Sequence, residues 1–215
     1  MAVVGSGIMG ERLSGGNVAI ALLANTIATG AALVALILTF GPISGAHLNP
    51  AVTLCDAWQR GIRWSEVPGY VLAQIIGAYA GVACAHLMFG LVPFSASQHL
   101  RSGPSQVFSE FIATFGLMSV IWGCSRSRSS LVPFAVGAYI TAAYWFTAST
   151  SFANPAVTLA RAATNTFSGI RPADAIGFIP AQFIGAASAT ILFRWLTPAL
   201  SAVAKDIVVP QSEKA

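Results

Sequence analysis

From Leu13 to Cys55 the chain carries no Asp, Glu, Lys or Arg, and the same is true of Val67 to Leu100, Ser129 to Ala160 and Ala175 to Phe193. Roughly 20 apolar residues in a helix cross the hydrocarbon of a bilayer. These runs predict full crossings at 18–40, 67–92, 106–124, 131–149 and 175–196. The 215 residues hold 11 Lys and Arg against 7 Asp and Glu, 8% charged in all, and 55% are hydrophobic. A soluble domain of this size needs far more charge to cover its surface. That excludes a cytosolic enzyme and a disordered chain. The net charge of +4 is too sparse for a groove that tracks phosphates, which excludes a nucleic-acid binder. The chain reads as an integral membrane protein.

Two of the runs are too long for one crossing and too short for two. Past Phe40, Gly41-Pro42-Ile43-Ser44-Gly45-Ala46-His47-Leu48 has turn chemistry that predicts a break. A helix then restarts at Asn49-Pro50-Ala51-Val52-Thr53-Leu54, with Asn as N-cap and Pro in the first turn. The third run repeats the pattern: Ser/Thr-rich 147–152, then Asn154-Pro155-Ala156-Val157-Thr158-Leu159. Each restart reaches a charge (Asp56, Arg161) after about half a bilayer. Non-helical backbone at that depth survives only where protein buries it or water wets it. The two re-entrant segments therefore imply a wet interior.

The duplication is wider than this motif. Tyr70 to Gly77, with Gln74 inside, matches Phe178 to Gly185, with Gln182 inside. An odd number of crossings per repeat makes the halves insert in opposite senses, an inverted repeat. The predicted fold is an all-α membrane protein in which each repeat has three transmembrane helices and a re-entrant half-helix. Repeat one covers 1–100, repeat two 105–197 and a cytoplasmic tail 198–215, together one membrane domain over 1–215.

The duplicated Asn-Pro-Ala motifs, Ser44-Gly45-Ala46-His47 ahead of the first and a Gln-x-x-Gly in each half resemble the aquaporin and aquaglyceroporin, or major intrinsic protein, family. The resemblance covers essentially the whole chain. It implies six crossings, two half-helices meeting at the midplane, and a homotetramer with one pore per subunit in the lipid bilayer. The expected activity is passive passage of water and small neutral polar solutes, with no cofactor, no metal site and no enzyme chemistry. In the family topology Arg60, Arg63, Arg126, Arg128, Arg194, Lys205 and Lys214 fall on one side; Arg12, Arg101, Arg161 and Arg171 fall on the other. That agrees with cytoplasmic termini, in a bacterial inner membrane.

Half-helices meeting nose to nose put a positive field at mid-pore. The amides of Asn49 and Asn154 can donate to a passing oxygen, and free carbonyls of 43–47 and 150–153 can accept. Most of the family has Arg directly after the second Asn-Pro-Ala, and here Val157 stands there. Family spacing puts the other constriction positions at Thr29, Ser151 and Tyr144, with Tyr139 a second candidate for the last. A ring without fixed charge is wider, and it resembles the arsenic-operon branch of aquaglyceroporins, which implies passage of glycerol-like solutes including arsenite.

Other polar residues have open readings. His47 either lines the cytoplasmic vestibule or braces the loop. Glu110, an acid inside a crossing, is costly unless paired; the resemblance implies that it accepts bonds from the re-entrant backbone, against a proton relay. Arg161 is either a snorkelling arginine at the interface or a displaced charge at the outer vestibule, with Asp56 its repeat mate. His86 reads as hydrogen-bonded or interfacial. Gly77, Gly81, Gly137 and Gly185 read as close helix contacts, and Cys55, Cys84 and Cys124 as small core residues. Two alternatives to the channel remain, a secondary transporter with inverted repeats and a non-conducting truncated channel homologue. The latter follows from the N-terminus. Gly5 in Gly5-Ser6-Gly7 resembles the late glycine of the family's first helix, the counterpart of Gly123. That resemblance carries the partner of Glu110 to a position before Met1, so the first helix reads as a truncated stub over Met1–Met9 that conducts little without an upstream extension.

Overall fold

The computed structural model describes residues 1–125 and 129–197. Helices follow in the order α1 (Ala2–Leu13), α2 (Val18–Ser44), α3 (Pro50–Trp58), α4 (Val67–Met88), α5 (Pro104–Ser125), α6 (Val132–Phe146), α7 (Pro155–Arg161) and α8 (Pro172–Leu196), with a 3₁₀ turn at Ser129–Leu131. Among the described residues five helical segments, four of them α2, α4, α5 and α8 and the fifth Ser129–Phe146, are long and apolar enough to cross a membrane. They are the five expected crossings. The tail 198–215, Arg126 and Arg128 lie outside the described residues.

Three boundaries differ from expectation. Helix α2 does not break at Gly41-Pro42 but runs on to Ser44 and ends where Gly45 turns left-handed at φ 71°. Pro42 costs one intrahelical bond in the last turn, less than a break would, and glycine is the residue that takes the left-handed exit. The N-terminal segment is a helix through Leu13, not Met9, because Gly10-Glu11-Arg12-Leu13 continue the ladder. Half-helix α7 is seven residues long, about 10 Å and so shorter than the half bilayer expected.

Polar anchors hold α1 in place. The Val3 carbonyl accepts from Asn25 Nδ2 at 2.7 Å and from Ser168 Oγ at 2.9 Å, and Asn25 also reaches Ser6 Oγ at 2.9 Å. An added Cβ at Gly5 would meet Phe89 at 3.6 Å, just as one at Gly123 would meet Phe193 at 3.6 Å. Gly5 of α1 thus faces the C-terminal end of α4 as Gly123 of α5 faces that of α8.

The core sits between α5, α6, α8 and the two half-helices, around the fully buried Trp122, Met118 and Val132. Trp122 Nε1 donates to Thr190 Oγ1 at 3.0 Å, tying α5 to α8. Small residues bring helices close: a Cβ on Gly185 would lie 2.4 Å from the Phe111 carbonyl, and one on Gly137 2.8 Å from that of Gly30. Gly81 approaches Met1, but Gly77 meets nothing within 4 Å. Gly77 instead lines a cavity, so its reading as a helix contact is corrected. Cys55 is buried, whereas Cys84 is exposed on α4 and is not a core residue. The outer faces carry exposed Leu72, Ile76, Ile184 and Trp195, as surfaces that meet lipid do.

Candidate pore

Each re-entrant segment has the same backbone signature ahead of its asparagine. Gly45, Ala46 and Leu48 have φ of 71°, 44° and 50°; Thr150, Ser151 and Ala153 have 61°, 49° and 47°. A left-handed conformation costs a residue with a Cβ of order 1 kcal/mol or more. Five such residues at matching positions persist only because their surroundings hold them.

The asparagines do much of the holding. Asn49 Oδ1 accepts from Ala51 N at 2.9 Å, and Asn154 Oδ1 from Ala156 N and Val157 N at 3.0 and 3.2 Å. Each amide also crosses to the other loop: Asn49 Nδ2 donates to the Ala153 carbonyl at 2.7 Å and Asn154 Nδ2 to that of Leu48 at 2.8 Å. The half-helices therefore start face to face, with Pro50 and Pro155 in their first turns and Ala51 and Ala156 next, both buried. This corrects one expectation. The Ala153 carbonyl is taken by Asn49 and the Ser44 carbonyl by Tyr70 Oη at 2.9 Å, so not every carbonyl of 43–47 and 150–153 is free.

Glu110 is fully buried and braces the second loop. Its oxygens accept from Phe152 N at 2.9 Å, Ala153 N at 2.8 Å, Ser149 Oγ at 2.6 Å and Gln182 Nε2 at 2.6 Å. Gln182 also donates to Thr158 Oγ1 at 2.8 Å. A carboxylate with that many donors is a structural acceptor. His47 is buried too, its Nδ1 at 3.2 Å from Thr53 Oγ1, its Nε2 at 3.4 Å from Asp56 Oδ2 and its ring against Tyr70. It braces the first loop and also lines the cavity.

Beside the asparagines lies a cavity of about 110 Å³ whose walls include Thr29, His47, Asn49, Tyr144, Ser151, Asn154, Val157 and Arg161. Tyr144 Oη lies 3.4 Å from Thr29 Oγ1. Tyr139 is absent from the lining that holds Tyr144, and turns its hydroxyl to the Ala113 carbonyl at 3.0 Å. Among the described residues Ser151 Oγ has no hydrogen-bond partner. A second cavity of about 700 Å³ opens between α2 and α4 and shares Val3, Thr29, Leu33, His47, Leu48, Asn154 and Val157 with the first.

Arg161 does not snorkel. It is 3% exposed, donates from Nε to the Ser168 carbonyl and lays its guanidinium over the Phe152 ring, 3.4 Å from the centroid. Sequence reasoning missed its neighbour Arg101. That side chain donates to the Ser149 carbonyl at 3.0 Å, Thr150 Oγ1 at 3.3 Å and the Gly169 carbonyl at 2.9 Å, pinning the second loop from outside. The available signal was its charge, in a chain that has so little. Burial first, then Arg101 and Arg161, push the pKa of His99 below its ordinary value, so it is neutral at pH 7. His86 is hydrogen-bonded, to the Val92 carbonyl and Thr164 Oγ1, each at 2.6 Å.

The model of the major intrinsic protein family matches residues 1–151. The chain is 56% identical to aquaglyceroporin AqpS of Rhizobium meliloti (strain 1021) over 195 residues, 91% of this chain and 83% of that protein. The chain belongs to the major intrinsic protein family. Members of that family are channels, not enzymes, and this one is an integral multi-pass membrane protein. Aquaporin NIP1-3 of Oryza sativa subsp. japonica is 38% identical over 140 residues, 62% of this chain and 49% of that protein. Probable aquaporin NIP7-1 of Arabidopsis thaliana is 34% identical over 139 residues, 62% of this chain and 50% of that protein. The aligned region spans about half the length of these plant members.

Proposed function

We propose that this family member is a passive channel for water and small neutral solutes whose path runs through the cavity at the two asparagines. Its two repeats, 1–100 and 105–197, insert in opposite senses. The observation that carries the reading is one wall bearing both asparagine amides and a ring of Thr29, Tyr144, Ser151 and Val157. Each amide nitrogen spends one N–H on the opposite loop and keeps a second for a passing oxygen. Ser151 Oγ adds a hydroxyl that can donate or accept. Ions have nothing there to replace a hydration shell, and the half-helix N-termini disfavour cations.

The finer assignment is to glycerol-like solutes including arsenite, a neutral polyhydroxyl species. It rests on Val157, which brings neither charge nor length where most of the family has Arg, and on likeness to a protein named an aquaglyceroporin. We further propose a homotetramer in a bacterial inner membrane, on the exposed apolar outer faces and the bacterial origin of that relative. A coupled transporter needs a titrating or ion-binding group, and the buried acid Glu110 is spent on four donors.

Stopped-flow permeation of water, glycerol and arsenite in proteoliposomes tests this, with Val157→Arg as comparison. The expected result is flux of all three, insensitive to proton or sodium gradients, with glycerol and arsenite reduced more than water in the variant. Equal solute flux in Val157→Arg and wild type removes Val157 from the constriction. A non-conducting homologue has one observation in its favour, the 700 Å³ cavity open toward the side of the path, and absence of water flux would establish it.

A further inference from the structure

The path has lost its charge at Val157, yet an arginine with an unspent hydrogen-bonding fork lies one turn away. Arg161 is the last residue of α7, four positions after Val157 and so about 6 Å further along the helix. Both residues line the same cavity. A buried guanidinium without a carboxylate is costly by several kcal/mol, and among the described residues Arg161 has no salt bridge. Its Nε is held by the Ser168 carbonyl, and the Phe152 ring supports one face of the guanidinium. The two Nη atoms have no hydrogen-bond partner among the described residues. Arg101, 5.1 Å from the same ring, spends Nε and Nη1 on three loop oxygens. Of the two guanidiniums at one ring, that of Arg101 is a strut and that of Arg161 is presented to the cavity.

We propose that Arg161 is the specificity-determining residue at the outer mouth, supplying the positive charge and paired N–H donors that position 157 lacks. The inference rests on the channel reading above. Setting the charge one turn outward separates two tasks that a single arginine at position 157 would combine. The bore at Val157 stays wide, so bulky hydroxylated neutral solutes fit. The mouth still repels cations and offers donors to an oxygen-bearing solute. Phe152 fixes the guanidinium plane, so the fork is set before a solute arrives.

The test compares wild type, Arg161→Gln, Arg161→Lys and the double variant Val157→Arg/Arg161→Gln in proteoliposomes. Arg161→Gln is expected to raise the methylammonium-to-water permeability ratio at least tenfold. The double variant, with its charge moved one turn inward, is expected to return methylammonium to the wild-type level and to reduce glycerol flux. Wild-type methylammonium exclusion in an Arg161→Gln protein that conducts water overturns the proposal. Should Arg161→Gln fail to reach the membrane, Arg161→Lys decides. A point charge without the planar fork is expected to exclude methylammonium and to change the glycerol-to-water permeability ratio at least threefold, and an unchanged ratio overturns the proposal. No water flux in wild type removes the channel reading and this inference with it, an outcome distinct from either variant result.

Discussion

The two re-entrant loops have nearly the same backbone and are held in it by different chemistry. In the second loop a buried carboxylate, Glu110, gathers two backbone N–H groups, a serine and Gln182, while Arg101 pins the loop from outside. In the first loop Gln74 donates to Thr53 Oγ1 at 2.9 Å, the counterpart of Gln182 and Thr158, but its Oε1 has no partner in the structure. Bracing there falls to His47, Asp56 and the Tyr70 hydroxyl. The same asymmetry appears where the last helix of each repeat begins. Arg63–Glu66 and Arg171–Asp174 occupy matching positions, but the Glu66 side chain is 40% exposed and that of Asp174 5%, the latter also accepting from Arg101 N at 2.9 Å. A repeated backbone therefore does not require repeated bracing. What has to recur is an acceptor for each buried N–H.

The most severe test of that contrast is Glu110→Ala against Gln74→Ala. Removing Glu110 strands four buried donors, and about 3–5 kcal/mol of lost stability is expected, with collapse of water flux. Gln74→Ala removes one bond at the side of a cavity and is expected to cost about 1 kcal/mol. Thermal unfolding in detergent reads both, and equal losses would break the comparison.

A second pair sharpens it from the other side, since the crossed asparagine bonds are a feature that both loops share. Asn49→Asp and Asn154→Asp each set a carboxylate against a carbonyl oxygen. Each is expected to cost about 2 kcal/mol and to admit cations to a similar extent. A cation leak in one variant only would mean that the half-helices do not contribute alike. Asp56→Asn comes next, with an expected loss of about 1 kcal/mol, because His47 keeps Thr53. A loss as large as that of Glu110→Ala would make the His47–Asp56 pair the true equivalent of the Glu110 cluster.

The smallest effect is expected at Glu66. The hydrogen bond from the Arg63 side chain, then one from the Arg63 backbone, hold its carboxyl below the usual range. A depressed folded value means that the pair stabilises above the unfolded pKa of about 4.3 and that this is lost as pH falls through the folded value. For so exposed a pair the contribution is about 0.3 kcal/mol. Glu66→Gln should therefore leave stability at pH 7 nearly unchanged and flatten its small decline below about pH 4. A loss at pH 7 matching that of Asp174→Asn would contradict the exposure difference.

Much of the fold was legible because a bilayer leaves few choices. Charge-free runs fix where helices cross, and Asn-Pro restarts inside such runs have few other places to go than a re-entrant segment. The asparagine N-caps follow from local sequence, while the Glu110 brace and the choice of Thr29, Ser151 and Val157, all of which except Glu110 line the cavity, come from the resemblance to the family. Tertiary structure alone decided which aromatic joins them, because Tyr139 and Tyr144 sit on one helix and only packing against α5 draws the Tyr139 hydroxyl to the Ala113 carbonyl. It decided that α2 continues past Pro42, since one missing bond in a last turn costs less than an early exit. It also turned Arg161 from a surface cation into a buried one, by folding Phe152 and the Ser168 carbonyl, from the two segments that flank α7, onto it. Local sequence determines where backbone bonds can be made. Which side chains satisfy a buried charge depends on contacts between distant residues, and only the folded chain supplies them.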